Sequence, residues 1–302
     1  MVPRVSVIIA TYNRETLLPD AIESVFSQTH RDLELIVADD GSTDDTRGLL
    51  ATYGSRLRAL FLPHAGSPTP VLNAGIRAAR GEFIAFLDSD DVWLPDKLAR
   101  QLALFDRQPR LGFVYGNLVF LDPDGTISGP VVPSHQLRSG TILRDLVRDM
   151  FVHPSTLVVR RALLDQVGLL EAAAGPVEHY SLLLRLARAS EAGCIPEPVA
   201  LIRRHAGQFN LVHGARQYEY TIMTLERLAS GPLPWSVRFE VRRTLARHQT
   251  HLARVYLSDG DRNRAHQHLV RAIRAYPLHR PTWRWVLRAL IASWSAPRAQ
   301  LG

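Results

Sequence analysis

The sequence predicts an α/β protein, a mixed, mostly parallel sheet flanked by helices, with a helical C-terminal region. Three observations predict it. Short apolar runs recur through the first two thirds of the chain, each followed by a stretch of helical period. The links between them are brief, as right-handed βαβ units require. Two of the runs end abruptly in acids, at Asp39-Asp40 and at Asp88-Ser89-Asp90-Asp91, which puts polar groups at the carboxyl ends of strands, where open α/β sheets hold their ligands.

Val5 to Ala10 is apolar and β-branched and reads as the first strand. Thr11 to Arg14 turns the chain. From Glu15, apolar residues return at Leu17, Leu18, Ala21, Ile22, Val25 and Phe26, a helix with one buried face. Leu33 to Ala38 is the second strand, after which Gly41 permits a tight turn and Ser42, Thr43 or Asp44 can cap a helix. Leu57 to Leu62 is the third strand, Thr69 to Arg80 a helix, and Glu82 to Leu87 the fourth strand. The acids that follow repel one another unless a cation or hydrogen-bond donors offset them. A divalent metal held by oxygen ligands is one reading of that cluster; a solvated acidic turn capping the helix near Pro95 is the other.

That helix is expected to run to Gln108, followed by a strand from Gly112 to Leu121 and a turn at Asp122 to Gly125. Thr156 to Val159 reads as a short strand leading into a helix that ends near Val167. Val177 to Ala192 reads as a helix with Tyr180, Leu183, Leu184 and Ala187 inward, and Val199 to Arg203 as a strand. Beyond Asn210 the pattern is helical throughout, with Gly231 to Pro234 as its clearest linker. The expected division is residues 1–210 and 211–302.

Charge divides the chain in the same way. Residues 203–302 hold 17 arginines against 5 acids, while residues 1–202 hold 19 basic and 24 acidic side chains. Lys97 is the only lysine. The single cysteine, Cys194, excludes an internal disulfide framework and a cysteine-rich zinc site. Met1 to Arg4 leads straight into a strand pattern, and no uncharged apolar run is long enough to span a bilayer. A cytoplasmic protein without a signal peptide is expected.

Val5 to Arg14, Asp39 to Asp44 and Gly81 to Asp91 occur in this order, each at a strand end. Together they resemble the family-2 glycosyltransferases of the GT-A fold, over roughly residues 3–210. The resemblance implies an inverting transfer from a nucleoside diphosphate sugar, a UDP-sugar foremost, to a hydroxyl on a glycan or lipid-linked acceptor, in glycan, polysaccharide or cell-envelope synthesis. Carried over by position, Thr11, Tyr12, Asn13 and Arg14 border the nucleotide. Asp39 or Asp40 accepts hydrogen bonds from the base edge, with Asp39 favoured, since an ionised carboxylate can only accept. Asp88 and Ser89 reach the ribose or the sugar. Asp90, with Asp88 and His205, would hold Mn2+ or Mg2+, whose charge stabilises a departing diphosphate.

Asn73 resembles the family's helix beneath the donor, although Leu72 stands where many members have arginine. His153-Pro154-Ser155 resembles the acceptor-side strand. At Glu178-His179 the chain departs from the pattern: the family's second acid, its general base, is here a histidine. Imidazole is a competent base near neutrality, and Glu178 either orients it or acts in its stead. A helix start without a base is the structural alternative.

In the tail, Leu252 to Asp261, Ala265, Leu269, Ala272 and Pro277 resemble one tetratricopeptide-type helix pair, which must pack on something else to bury its face. Trp283, Val286, Leu287, Leu290, Ile291 and Trp294 form an apolar stripe with Arg284 and Arg288 off it. The stripe suits peripheral contact with the inner face of a membrane, and it equally suits packing on neighbouring helices, the reading favoured here. No nucleic-acid partner is expected, because the arginines belong to no recognisable module. A sugar nucleotidyltransferase and a non-catalytic nucleotide-sugar binder are the alternative functions. The first would need a Gly-rich, basic loop after the first strand, and the second would bind donor without hydrolysing it.

Overall fold

The computed structural model describes residues 2–172, 175, 178–205 and 214–294, without the side chains of Ser134, Gly214 and 288–294. The chain divides into two compact units, Met1–Leu146 with Met150–Leu211, and Val147–Asp149 with Val212–Gly302.

The first unit is built on a mixed sheet of nine described strands: β1 (Val5–Thr11), β2 (Leu33–Asp39), β3 (Arg58–Phe61), β4 (Phe83–Asp88), β5 (Val92–Trp93), β6 (Leu111–Leu121), β7 (Ile127–Ser128), β8 (Val158–Arg160) and β9 (Glu191–Arg203). The order is β3-β2-β1-β4-β8-β6-β9-β5, with β7 on β6. β1 pairs in parallel with both β2 and β4, and β2 with β3. β8 is antiparallel to β4 and β6, so β4, β6 and β9 run the same way as β1. The fold is the mixed, mostly parallel sheet expected. Strand order reverses at β1, with β2 on one side and β4 on the other, which opens a crevice at their carboxyl ends.

The helices are α1 (Leu18–Phe26), α2 (Thr46–Thr52), α3 (Pro68–Ala78), α4 (Lys97–Arg107), α5 (Leu143–Arg148), α6 (Arg161–Val167) and α7 (Glu178–Ala189). The apolar stripe of α1 (Leu18, Ala21, Ile22 and Val25) is buried in one core with Val5, Val7 and Ile9 of β1, and with Phe83, Ala85 and Leu87 of β4. α3 packs on β1 at Gly75, where a Cβ would meet the Ile8 side chain at 2.6 Å.

Three expectations change. The helix expected through Ala192 ends at Ala189, and its Val177 lies outside the described residues. The strand expected from Val199 begins at Glu191: Gly193, Pro196 and Pro198 interrupt the apolar alternation, and β9 passes them with register breaks against Gly116 and Asn117 of β6. Instead of a strand beginning at Thr156, Pro154–Thr156 forms one 3-10 turn and β8 starts at Val158.

The second unit contains α8 (Gly214–Ser230), α9 (Trp235–Ser258), α10 (Arg262–Ala275) and α11 (Arg280–Trp294). Pro232 and Pro234 separate α8 from α9. The helix pair is α9 with α10, and its first member begins well before Leu252. Ala265, Leu269 and Ala272 of α10 are buried, as are Val241, Leu252 and Ala253 of α9. None of the described helices is long and apolar enough to cross a membrane.

Candidate active site

The parallel register brings the strand ends together. Thr11 lies opposite Asp39, and Ala10 opposite Asp88, so three polar strand ends line one rim. Thr11 Oγ1 is buried and has no hydrogen-bond partner among the described residues.

On the β2 side, Asp39 accepts the Ser42 N–H at 3.1 and 3.2 Å and the Ser42 hydroxyl. The turn between them needs Gly41, whose φ is +71° and where a Cβ would stand 2.8 Å from the His64 nitrogen. Asp40 turns the other way: its carboxylate accepts the Ala65 N–H at 2.8 Å and lies 2.9 Å from His64 Nδ1. The His64 ring stacks on Tyr12, with centroids 4.2 Å apart. Asn13, at φ +50°, latches the two loops together, its Oδ1 accepting Thr43 N–H at 2.7 Å and its N–H donating to Ser42 Oγ. Asn73 uses its whole amide on the backbone of Leu170, at 2.9 and 3.1 Å. Of the expected nucleotide-bordering residues, Asn13 and Asn73 therefore brace backbone, while Thr11, Tyr12 and Asp39 sit at the rim.

On the β4 side the acids divide their work. Asp91 is buried, accepting the Ser155 hydroxyl at 2.6 Å and the Arg203 N–H at 3.2 Å. Ser155 Oγ also accepts the Asp88 N–H at 3.1 Å. Ser155 thus ties both ends of the acid turn, and its own carbonyl accepts the Trp93 indole N–H at 2.7 Å. Beneath Trp93 lies Lys97, fully buried, its Nζ 4.0 Å from the ring centroid and donating to Gln101. Burial holds that amine well below the usual lysine range. Asp90 is more open: Arg14 is 3.8 Å away and His205 Nε2 is 2.9 Å from its Oδ2. Arg203 donates to the Asp90 carbonyl and to Asp20. Ser89 is buried.

Burial pushes the Asp88 carboxyl up to about 6; His179 pulls it back, and the Asp90 and Glu178 charges add to the push. Burial, then the Asp88 and Asp90 charges, holds Asp91 well above the usual carboxylate range. Burial and mutual repulsion therefore disfavour the ionised form of the turn, and a bound cation would favour it. Asp88, Asp91 and His153 place one ligand atom each within 4.8 Å of one another. His153 is neutral near pH 7, held down to about 4 by burial and then by the His179 charge, and its Nδ1 accepts the Ser155 N–H. The donor set of carboxylates and imidazole fits Mn2+ or Mg2+. The sequence pointed to Asp88, Asp90 and His205; the structure adds Asp91 and His153 on the inner side of the same turn.

Across the crevice, α7 opens with Glu178 and His179. His179 Nδ1 lies 3.4 Å from Glu178 Oε1, and its ring meets Phe86 of β4 edge-on, with centroids 5.9 Å apart. His179 Nε2 is buried and has no hydrogen-bond partner among the described residues; Glu178 Oε2 is in the same state. Burial lowers the imidazole pKa, but the Glu178 hydrogen bond and the Glu178 and Asp88 charges outweigh it, so His179 is raised above its ordinary value.

An acid-rimmed crevice at the switch point of a mostly parallel sheet defines the class of α/β proteins that hold nucleotide-like ligands at strand ends. The family model described as Glycosyl transferase family 2 matches residues 6–168, more than half of the chain, and the chain belongs to that family. It is 37% identical over 174 residues to an uncharacterized glycosyltransferase of Nostoc sp., covering 54% of this chain and 53% of that one. It is 35% identical over 130 residues to an Escherichia coli UDP-Glc:alpha-D-GlcNAc-diphosphoundecaprenol beta-1,3-glucosyltransferase, covering 43% and 51%. These matches span about half the length of either relative. In fold, the chain is similar to S. aureus TarS residues 1–349 in complex with UDP-GlcNAc, with TM-score 0.63 and 18% identity over 94% of this chain and 92% of that one.

Proposed function

We propose that this chain is a metal-dependent, inverting glycosyltransferase that moves a sugar from a nucleoside diphosphate sugar, a UDP-sugar first, to a hydroxyl of a glycan or lipid-linked acceptor in cell-envelope synthesis. Residues 1–210 are its catalytic domain and residues 211–302 a helical appendage. The names of the E. coli relative and of the TarS complex support the donor and acceptor classes. The observation that carries the reading is His179, oriented at Nδ1 by Glu178 and with Nε2 unpartnered beside β4.

In this reading, Asp39 and Thr11 take the base edge with Tyr12 beside it, and Asp88 and Ser89 take the ribose or sugar. Asp88 and Asp90, with His205, would hold Mn2+ or Mg2+, which would supply positive charge to offset that of the diphosphate. His179 Nε2 accepts the acceptor's hydroxyl proton. That oxygen then forms a bond to the anomeric carbon from the side opposite the leaving group. The bond from that carbon to the diphosphate oxygen breaks, its electron pair leaves with the nucleoside diphosphate, and configuration inverts. The work is placed on the cytoplasmic side, at the inner face of the membrane.

The test is release of nucleoside diphosphate from a panel of donors with Mn2+, repeated in EDTA. Metal-dependent release with at least one donor is expected. Tight nucleotide binding without any release would make the chain a binder instead.

A further inference from the structure

The second unit carries a face that the transfer reading leaves unused. Trp235 is 78% exposed and Leu278 76% exposed. Trp235 stacks on Phe239 with centroids 5.7 Å apart, Phe239 meets Tyr276 edge-on at 5.6 Å, and the Trp283 indole donates to the carbonyl of Pro277 at 2.7 Å. Trp235, Phe239 and Tyr276 are in successive ring contact, Trp283 is tied to Pro277, the residue after Tyr276, and Leu278 of the same link is exposed. Arg238 and Arg242 follow Trp235 and Phe239 by one helical turn, and Arg284 adjoins Trp283; all three are exposed. Residues 212–302 contain 15 arginines and 5 acids.

We propose that this face docks the protein on an anionic lipid surface. Indole and phenol rings sit well at the boundary between headgroups and acyl chains, and arginine stems cover apolar surface while their charge meets phosphate. An aliphatic side chain as exposed as Leu278 gains by entering the acyl region, whereas stacking on nucleobases would make no use of it. The charge excess matches anionic headgroups and carries no pattern of nucleic-acid readout. The proposal names a surface for the peripheral location given above and uses none of the residues placed at the transfer site.

The experiment is co-sedimentation of the full chain with vesicles of phosphatidylglycerol and phosphatidylcholine, against pure phosphatidylcholine. Binding is expected to the mixed vesicles, falling with added salt. Arg238→Gln with Arg242→Gln should weaken it about fivefold per arginine. Trp235→Ser with Leu278→Ser should weaken it about tenfold or more. The melting temperature and donor turnover of these variants should stay near those of the parent, because the changed side chains are exposed. An intact chain that stays in the supernatant with anionic vesicles overturns the proposal, whatever its transferase activity. So do serine variants that sediment as the parent does, or that instead convert a dimer to a monomer, which would make the face a seat for protein.

Discussion

The two units depart from the usual partition of side chains in different ways, although each buries ionisable groups, Glu240 in the second. The first gathers such groups at one rim: Asp91, Glu178 and Lys97 are all inside, and Asp88 is pushed up by burial. The second exposes aromatic surface, with Trp235 and Trp283 in solvent among arginines. Buried ionisable groups and exposed clustered aromatics each run against what stability alone would select. Well-packed apolar residues would hold the acid turn at least as firmly. Each departure therefore marks a candidate site: for a cation and a donor in the first unit under the proposed transfer, and for a lipid surface in the second under the proposed docking.

The sharpest way to break this comparison is to remove the open acid of the first unit. Asp90→Ala should abolish transfer and weaken donor binding in Mn2+, because the diphosphate loses the counter-charge that Asp90 would help to hold. Donor titration by calorimetry, with and without EDTA, separates the two effects. Full activity after this substitution, or in EDTA, would end the metal-dependent reading.

His179→Ala comes next, with an expected loss of about 10²–10⁴ in kcat and donor affinity nearly unchanged. The pH profile adds a direction. A base works only when deprotonated, and the charges of Glu178 and Asp88 raise this imidazole above its ordinary value. The acid limb of kcat should therefore lie above pH 6.5, not at it. His179→Asp should move the limb to lower pH. A limb that stays in place in this variant would assign it to another group. If Glu178→Ala is inactive while His179→Ala is not, the base is Glu178.

How far the sequence reached explains why these residues and not others can be tested with such directions. β1, β2 and β4 were legible because they are continuous apolar runs that stop at acids, and the stopping points are the crevice. The Glu178-His179 pair was legible as a departure from a pattern. Ser155 as a hub was not legible, because a serine after a proline carries no periodic signal and its partners, Asp88 and Asp91, lie 64 or more residues away. The division of labour between Asp90 and Asp91 was hidden for the same reason: adjacent acids look alike until Arg203 arrives from β9 and Ser155 from the 3-10 turn before β8. Asn73 resembled a donor-side residue, yet its amide pairs with Leu170, 97 residues on. Of the exposed face of the second unit, only Trp283 belongs to the stripe expected in the tail, whose Leu290, Ile291 and Trp294 side chains lie outside the described residues; Trp235 and Phe239 join it only through the packing of α9.

Ser155→Ala sharpens the hub. It removes the acceptor for the Asp88 N–H and a donor to buried Asp91, so a loss of about 1–3 kcal/mol in urea unfolding is expected. Transfer should fall as well, since the acid turn loses its tie. An unchanged stability would show that water replaces the hydroxyl and that the hub is not structural.

The smallest effect compares how the units respond to acid. In the second unit, His248, His251, His268 and His279 are all shifted the same way, downward, each by burial first and then by neighbouring charges, chiefly arginine. In the first unit the shifts oppose one another: Asp88, Asp91 and His179 are raised, while His153 is lowered. A histidine held down in the folded state keeps its full contribution above the unfolded pKa and loses it as pH falls, because the unfolded chain takes up protons first. Acidification should therefore destabilise the second unit steadily, while the terms partly cancel in the first. His248 is held down to about 4. Between pH 7 and pH 6 that alone predicts a loss of about 0.7 kcal/mol from the second unit. His248→Phe keeps a ring beside Tyr218 and removes the titration, so the stability of this unit should become flatter with pH by that amount. Native-state hydrogen exchange of the α9 amides, converted to opening free energies at each pH, provides the measurement. If the parent is already flat over that interval, or the Phe variant as steep as the parent, acid does not act on this unit through its buried imidazole.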